Sequence, residues 1–238
     1  MKISIITIVY NNANTIAECI ESVLSQTYNN IEYIVIDGNS TDGTQSIIEQ
    51  YKDSIATYIS EPDKGLYDAL NKGIQAATGD VIGILHSDDI FYNTNCISLV
   101  AETFQKTQAD LVYGNGIYVS KEENVVKRVY SAKPFKKRYL QFGWIPLHTT
   151  IFVTKDIFNT YGLYSLDYSI ASDYDISLRW FTNDTIKKVF IDTYLVKMRL
   201  GGKSTTAALQ KRKSSEDLHI IRKYKLLGYF TLFCKIAR

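Results

Sequence analysis

Short apolar runs alternate with helix-patterned segments across the first 118 residues of this chain, and that rhythm constrains its fold most. Ile3–Tyr10, Ile31–Asp37 and Val81–Leu85 are apolar and rich in β-branched residues, so they read as strands, with a shorter strand near Ala56–Ser60. Between the first two, Ile16, Ile20, Val23 and Leu24 recur at helical spacing behind Asn14 or Thr15 as a cap. "STDGTQSIIEQY" opens a second helix. Leu66, Ala69, Leu70, Ile74 and Ala77 form the stripe of a third, which Gly79 ends. Strands that are apolar along their whole length are covered on both faces, and repeated strand–helix units build parallel sheets. The prediction is an α/β fold, a mainly parallel mixed sheet flanked by helices.

From Asp110 the rhythm changes. "DLVYGNGIYVS", "KEEN" and "VVKRVYS" predict a β-hairpin, and "HTTIFVT", "KDIFNTYG", "DYDISLRWF" and "KKVFIDTYLVKMRL" add strands and helices. No Pro/Gly/Ser-rich linker, repeat or low-complexity tract divides the chain, and 238 residues with 45% hydrophobic content suit one large domain. The expected organisation is a first α/β half over residues 1–118, a second half of the same domain over 119–205, and a basic amphipathic helical tail over 206–238. Residues 1–200 hold 18 Lys/Arg and 23 Asp/Glu, whereas residues 201–238 hold 9 and 2. The body is thus mildly acidic and the tail basic. Nucleic-acid binding has only that tail in its favour. Cysteines at 19, 96 and 234 have no metal-ligand spacing, the N-terminus has no cleavage site, and no apolar run reaches membrane-spanning length. A cytoplasmic protein is expected.

In open α/β sheets ligands bind beyond the carboxyl ends of the strands. Here those ends carry Thr7 to Asn11, Asp37, and Ser87–Asp88–Asp89. The turn "VYNNANT" after the first strand has no glycine, which argues against a dinucleotide fold, and no basic Gly-rich loop of a nucleotidyl transferase. Two adjacent carboxylates at the end of a core strand repel each other and resist desolvation. A hard divalent cation, Mg²⁺ or Mn²⁺, offsets that and neutralises a leaving diphosphate. The plainer reading of "SDD" alone is a turn or helix cap.

The segments "ISIITIVYNNANTIAECIESVLSQTY", "IEYIVIDGNSTDGT", "SEPDKGLYDALNKGIQAATGDVIGILHSDD" and, more loosely, "HTTIFVTKDIF" and "ASDYDISLRW" resemble the family 2 inverting glycosyltransferases of the GT-A fold. The resemblance covers about residues 1–180 and is nearest to enzymes of bacterial capsule, O-antigen and exopolysaccharide assembly. It implies a metal-dependent transfer of a sugar from a nucleoside diphosphate, UDP foremost, to a saccharide hydroxyl, with a lipid-linked acceptor expected. A non-catalytic nucleotide-sugar-binding subunit of an assembly complex is the rival reading.

Under that resemblance Thr7, Val9, Tyr10 and Asp37 hold the nucleobase, Lys64 meets phosphate or base, and Asp68 and Asn71 reach sugar or ribose hydroxyls. Asp89 takes the metal and Asp88 contacts ribose, donor sugar or a metal-bound water, while His86 is a strand residue at the pocket edge and no ligand. Asp173 fills the position of the base that deprotonates the acceptor, with Ser172 replacing the first acid of the family's usual pair and Asp175 next in line. An Asp there also caps a helix, and both roles are compatible. His148 stands in an acceptor or phosphate region, or is a core histidine. In "MRLGGKST", Lys203 and Ser204 could reach a diphosphate, or form an ordinary turn. The tail has the composition of an interfacial helix on anionic lipid, or of a terminal helix packed on the body or on a second subunit.

Overall fold

The computed structural model describes residues 1–120, 125–200 and 207–237. Its centre is β1 (Ile3–Val9), buried at all seven positions. The second strand, β2 (Ile31–Asp37), pairs with β1 in parallel register from Ile3↔Ile31 to Val9↔Asp37, and β3 (Thr57–Ser60) continues outward. On the other side of β1 lies β4 (Val81–Ile84), also parallel. Chain order thus reverses between β1 and β4, the place where an open sheet leaves a crevice at its carboxyl edge. The helices α1 (Ile16–Leu24), α2 (Thr44–Glu49) and α3 (Leu66–Ala76) form the connections.

Beyond β4 the direction alternates. A two-residue strand, β5 (Ile90–Phe91), follows the acidic turn, then α4 (Cys96–Thr107), β6 (Leu111–Val119) and β7 (Val126–Tyr130), the last two paired as the predicted hairpin. Next come β8 (Ile151–Thr154), antiparallel to both β4 and β6, α5 (Lys155–Tyr161) and α6 (Ser172–Phe181). The last strand, β9 (Lys188–Arg199), runs parallel to β6, and near its end Lys197 and Val196 pair antiparallel with Ile90 and Phe91 of β5. The result is one sheet ordered β3-β2-β1-β4-β8-β6-β9-β5, with β7 beside β6. The strands β1 to β4 supply the parallel part, and from β5 onward the directions mix.

Alternate residues of the central strands feed two cores. Ile6, Ile34, Ile36, Leu70, Ile74, Trp180 and Phe181 pack on one face, and Ile3, Ile5, Ile16, Ile20, Ile97 and Val100 on the other. The tail is two helices, α7 (Ala207–Lys223) and α8 (Tyr229–Ile236). Gly228 separates them with φ +58, in the left-handed region. Ile220 and Ile221 of α7 are buried in the first core, so this part of the tail packs on the body. No helix among the described residues is long and apolar enough to cross a membrane.

Candidate active site

The loops following β1, β2 and β4 are knitted together at the carboxyl edge. Asn12 Nδ2 donates to Ser87 Oγ (2.9 Å), Thr15 Oγ1 to the Ser87 carbonyl (2.8 Å), and the Asn11 amide to Ser40 Oγ (2.8 Å). Asn11 Oδ1 in return accepts the Thr41 amide at 2.8 Å. Asn11 and Asn39 both hold positive φ, a conformation that asparagine tolerates through such local bonds. These links fix the floor on which the other residues stand.

Asp37 is fully buried at the end of β2. Its carboxylate accepts the Ser40 amide (3.2 and 3.1 Å), Ser60 Oγ (2.6 Å) and Gln45 Nε2 (3.0 Å), with Ser40 Oγ as a further donor. A carboxylate offers about four lone-pair sites, so a nucleobase N–H reaching Asp37 must displace a protein donor. Thr7 and Val9 keep their side chains out of the crevice. Thr7 Oγ1 is buried against the Tyr33 hydroxyl (3.1 Å), and Val9 lies in the core. Both can serve the crevice only through their backbone. Tyr10 does project outward, with 53% of its surface exposed. A Cβ on Gly38 would come within 3.0 Å of Asp63 Oδ2 and 3.3 Å of the Tyr10 ring. The missing side chain therefore leaves room for both Tyr10 and Asp63 against Gly38, and Asp63 is a site neighbour that the sequence reading missed.

Lys64 is exposed just ahead of α3, and Gly65 turns the chain there with φ +123. The two candidate residues within α3, Asp68 and Asn71, are committed internally. Asp68 Oδ2 accepts the Lys64 amide (3.0 Å), capping the helix start. Asn71 clamps the backbone of Tyr164 with both ends of its amide, Nδ2 to the carbonyl at 2.9 Å and Oδ1 from the amide at 3.0 Å. As placed, Asn71 holds two segments together and is not open to a sugar hydroxyl.

The acidic turn is more unusual. Asp89 is 2% exposed, and its Oδ1 accepts the Arg199 amide (3.2 Å) while Oδ2 has no hydrogen-bond partner. Burial, reinforced by the charge of Asp88, pushes the Asp89 carboxyl well above the usual carboxylate range, against the opposing pull of Arg199. Asp88 is the more open of the two. The Arg199 guanidinium is buried, reaching the Asp88 carbonyl (3.4 Å) and pairing with Glu18. A buried carboxylate with an orphaned oxygen, beside a second carboxylate, fits a hard cation that takes oxygen ligands. Among the described residues no group of three or more His, Cys, Asp or Glu could hold a metal ion. An ion held by Asp89 would need further oxygen ligands.

Across from this turn stands Asp173, in the first turn of α6. Its Oδ1 accepts the Tyr174 amide (2.8 Å) and the Tyr67 hydroxyl (3.3 Å), and its Oδ2 lies 3.6 Å from His148 Nδ1. His148 Nε2 in turn meets His86 Nε2 at 2.7 Å. Burial, with a smaller contribution from His148, lowers the His86 pKa to about 3, and burial also lowers that of His148 although Asp173 opposes it. Both rings are thus neutral near pH 7. With the His148 proton on Nδ1, facing Asp173, its Nε2 accepts and His86 donates. The sequence reading set His86 aside as an edge residue, and the structure gives it a partner.

Asp175 is excluded as a base. It is fully buried and held by Arg179 (2.8 Å) and Lys223 (2.7 Å). The loop before α6 is pinned from α7, where Glu216 accepts the amides of Ser169 (3.1 Å), Ile170 (2.9 Å) and Ala171 (3.0 Å). Lys203 and Ser204 lie outside the described residues.

Comparison with known proteins identifies the family and the fold. The chain is 29% identical over 208 residues to the PGL/p-HBAD biosynthesis glycosyltransferase of Mycobacterium bovis, covering 85% of this chain and 79% of that protein. It is 30% identical over 227 residues to an uncharacterized glycosyltransferase of Rickettsia prowazekii, covering 91% and 70%. Among solved structures, residues 1–349 of S. aureus TarS superpose with a TM-score of 0.72 at 19% identity, covering 94% of this chain. This chain spans 64% of that TarS fragment, less than two thirds. The mannosyltransferase PcManGT of Pyrobaculum calidifontis, solved with GDP-Man and Mn²⁺, gives a TM-score of 0.70 at 16% identity over 99% of this chain and 73% of its own. At such identities these two structures establish the shared fold. The model of the family described as glycosyl transferase family 2 matches residues 4–158, and the chain belongs to that family.

Proposed function

We propose that this chain transfers a sugar from a nucleoside diphosphate, UDP foremost, to a saccharide hydroxyl with inversion, on a lipid-linked acceptor in bacterial surface polysaccharide synthesis. The observation that carries the reading is the contact path Asp173–His148–His86, which ends three residues before Asp89. It supports pairing a base at Asp173 with a diphosphate-facing turn at Asp88 and Asp89.

In the transfer, the acceptor oxygen bonds to the anomeric carbon as the bond to the diphosphate oxygen breaks. Asp173 takes the hydroxyl proton on Oδ2, since its Oδ1 is engaged by Tyr174 and Tyr67. His148 keeps that oxygen oriented. A Mn²⁺ or Mg²⁺ ion held by Asp89, with Asp88 beside it, would supply positive charge for the departing diphosphate. Tyr10 offers a ring face to the base, and Lys64 a cation to phosphate. A TarS structure with UDP-GlcNAc and the PcManGT structure with GDP-Man and Mn²⁺ support this donor class.

A thermal-shift screen of UDP, GDP, CDP and dTDP sugars with and without Mn²⁺ tests the reading. One donor should raise the melting temperature only when the metal is present, and nucleoside diphosphate should then be released on turnover. Stabilisation without release would point to a nucleotide-sugar-binding subunit. No stabilisation by any donor would overturn the proposal.

A further inference from the structure

The helix α8 leaves a continuous apolar face uncovered. Tyr229, Phe233 and Ile236, spaced to share one side, are 69%, 70% and 65% exposed. Leu227 and Phe230 extend the face, and the Phe230 ring meets the exposed Phe142 ring edge-on at 5.8 Å. Single exposed apolar residues are ordinary, but six in one patch are not.

The rim of the patch is cationic. The Arg222 guanidinium lies 5.4 Å from the centre of the Tyr229 ring, and Lys225 is exposed between the two helices. Lys136 and Arg138 are exposed on the segment against which α8 packs, where Thr231 Oγ1 donates to the Gln141 carbonyl at 2.7 Å. Nearby Lys137 is paired with Asp184. The two acids of the tail face inward, Glu216 on the loop before α6 and Asp217 on Lys235 (2.6 Å). They leave the outward charge positive.

We propose that this face docks on an anionic lipid membrane. At about 1.5 Å per residue, the eight residues of α8 extend roughly 12 Å, so the helix lies along an interface and does not cross it. Aromatic and aliphatic side chains enter the acyl boundary, and the surrounding Lys and Arg meet acidic headgroups. A second copy is the poorer occupant, because a two-fold contact would press one basic rim against another. Docking also bears on the active site, since α7 pins the loop before Asp173 through Glu216 and reaches Asp175 through Lys223. That link to a lipid-linked acceptor rests on the proposed function, whereas the lipid binding does not.

The test is co-sedimentation of the full chain with vesicles of phosphatidylcholine alone or mixed with phosphatidylglycerol. Binding should be about tenfold stronger to the mixed vesicles and should fall with added salt. A Phe233→Glu/Ile236→Glu double variant should lose it by about the same factor, with circular dichroism and donor-induced thermal shift unchanged. Because both substituted side chains are already exposed, the fold should tolerate them. Equal affinity for both vesicles, or none for either, overturns the proposal. So does a wild-type dimer in light scattering that the double variant converts to monomer. Failure of donor binding would sink the functional proposal alone and leave the vesicle result standing.

Discussion

His86 and His148 meet through their Nε2 atoms at 2.7 Å, and this contact ties the strand ending in the acidic turn to the residue that faces Asp173. One ring must donate and the other accept, so the pair is stable only while at least one of them is unprotonated.

The pair should make folding stability depend on pH. An unfolded histidine takes up a proton below about pH 6.5, whereas folded His86 resists until about pH 3. The unfolded state therefore binds more protons between those values, so stability is full above the upper one and is lost as pH falls toward the lower. His148, lowered in the same direction, adds to the effect. The unfolding free energy from urea titrations should fall by up to about 1.4 kcal/mol per pH unit for each of the two histidines below pH 6.5 in the wild type, and distinctly less in His86→Gln. Glu32 enters only the lower part of that window. Burial raises its carboxyl, but bonds from Lys2, Ser4 and Thr78 outweigh that and hold it at about 2, so its contribution is lost only below about pH 4.5.

Asp89→Asn should leave the metal-free protein within about 1 kcal/mol of wild type, because the new amide oxygen still accepts the Arg199 amide and a neutral amide stands in for a carboxyl that burial already biases toward its protonated form. Stabilisation by Mn²⁺ with a nucleotide sugar should disappear. In the wild type, Mn²⁺ affinity should rise with pH, since the ion must displace a proton from a carboxyl held above its usual range. Titrations at two pH values, read by thermal shift, check both statements.

Asp173→Asn keeps an acceptor for the Tyr174 amide and removes the proton acceptor. Turnover should fall by about 10²- to 10⁴-fold, with KM for the donor nearly unchanged. Steady-state kinetics with a saccharide acceptor measures this, and a fully active variant would remove Asp173 from the base role.

Asn71→Ala should act on stability and not on donor binding. It strands the Tyr164 amide and carbonyl, each worth about 1–3 kcal/mol when buried without a partner. A lowered unfolding midpoint with unchanged donor KM is expected. A raised KM in a protein of full stability would place Asn71 against the donor.

Much of the framework is legible locally. Ile31–Asp37 appears as a strand to the residue, and the hairpin of β6 and β7 follows from its alternating pattern. The features that were not legible join residues far apart in the chain, where no local pattern records the partner. Arg199 meets the acidic turn across 110 residues, and Asn71 finds Tyr164 across 93. Two charged residues, Lys197 and Arg199, in the mostly apolar "YLVKMRL" run were the available hint for Arg199. Asp175 misled for a related reason, because only the fold brings Lys223 beside it. The single amphipathic tail divided because Leu226 packs against the first core before Gly228 redirects the chain.

The pairing of β5 with β9 makes the chain's last strand a brace for the turn that carries Asp88 and Asp89. A graft of the first 118 residues onto a foreign scaffold would carry the aspartates without the arginine and the ladder that steady them. Chimeras built to redirect acceptor choice should therefore keep Lys188–Arg199 from the same parent as the acidic turn, treating two distant stretches as one inherited unit.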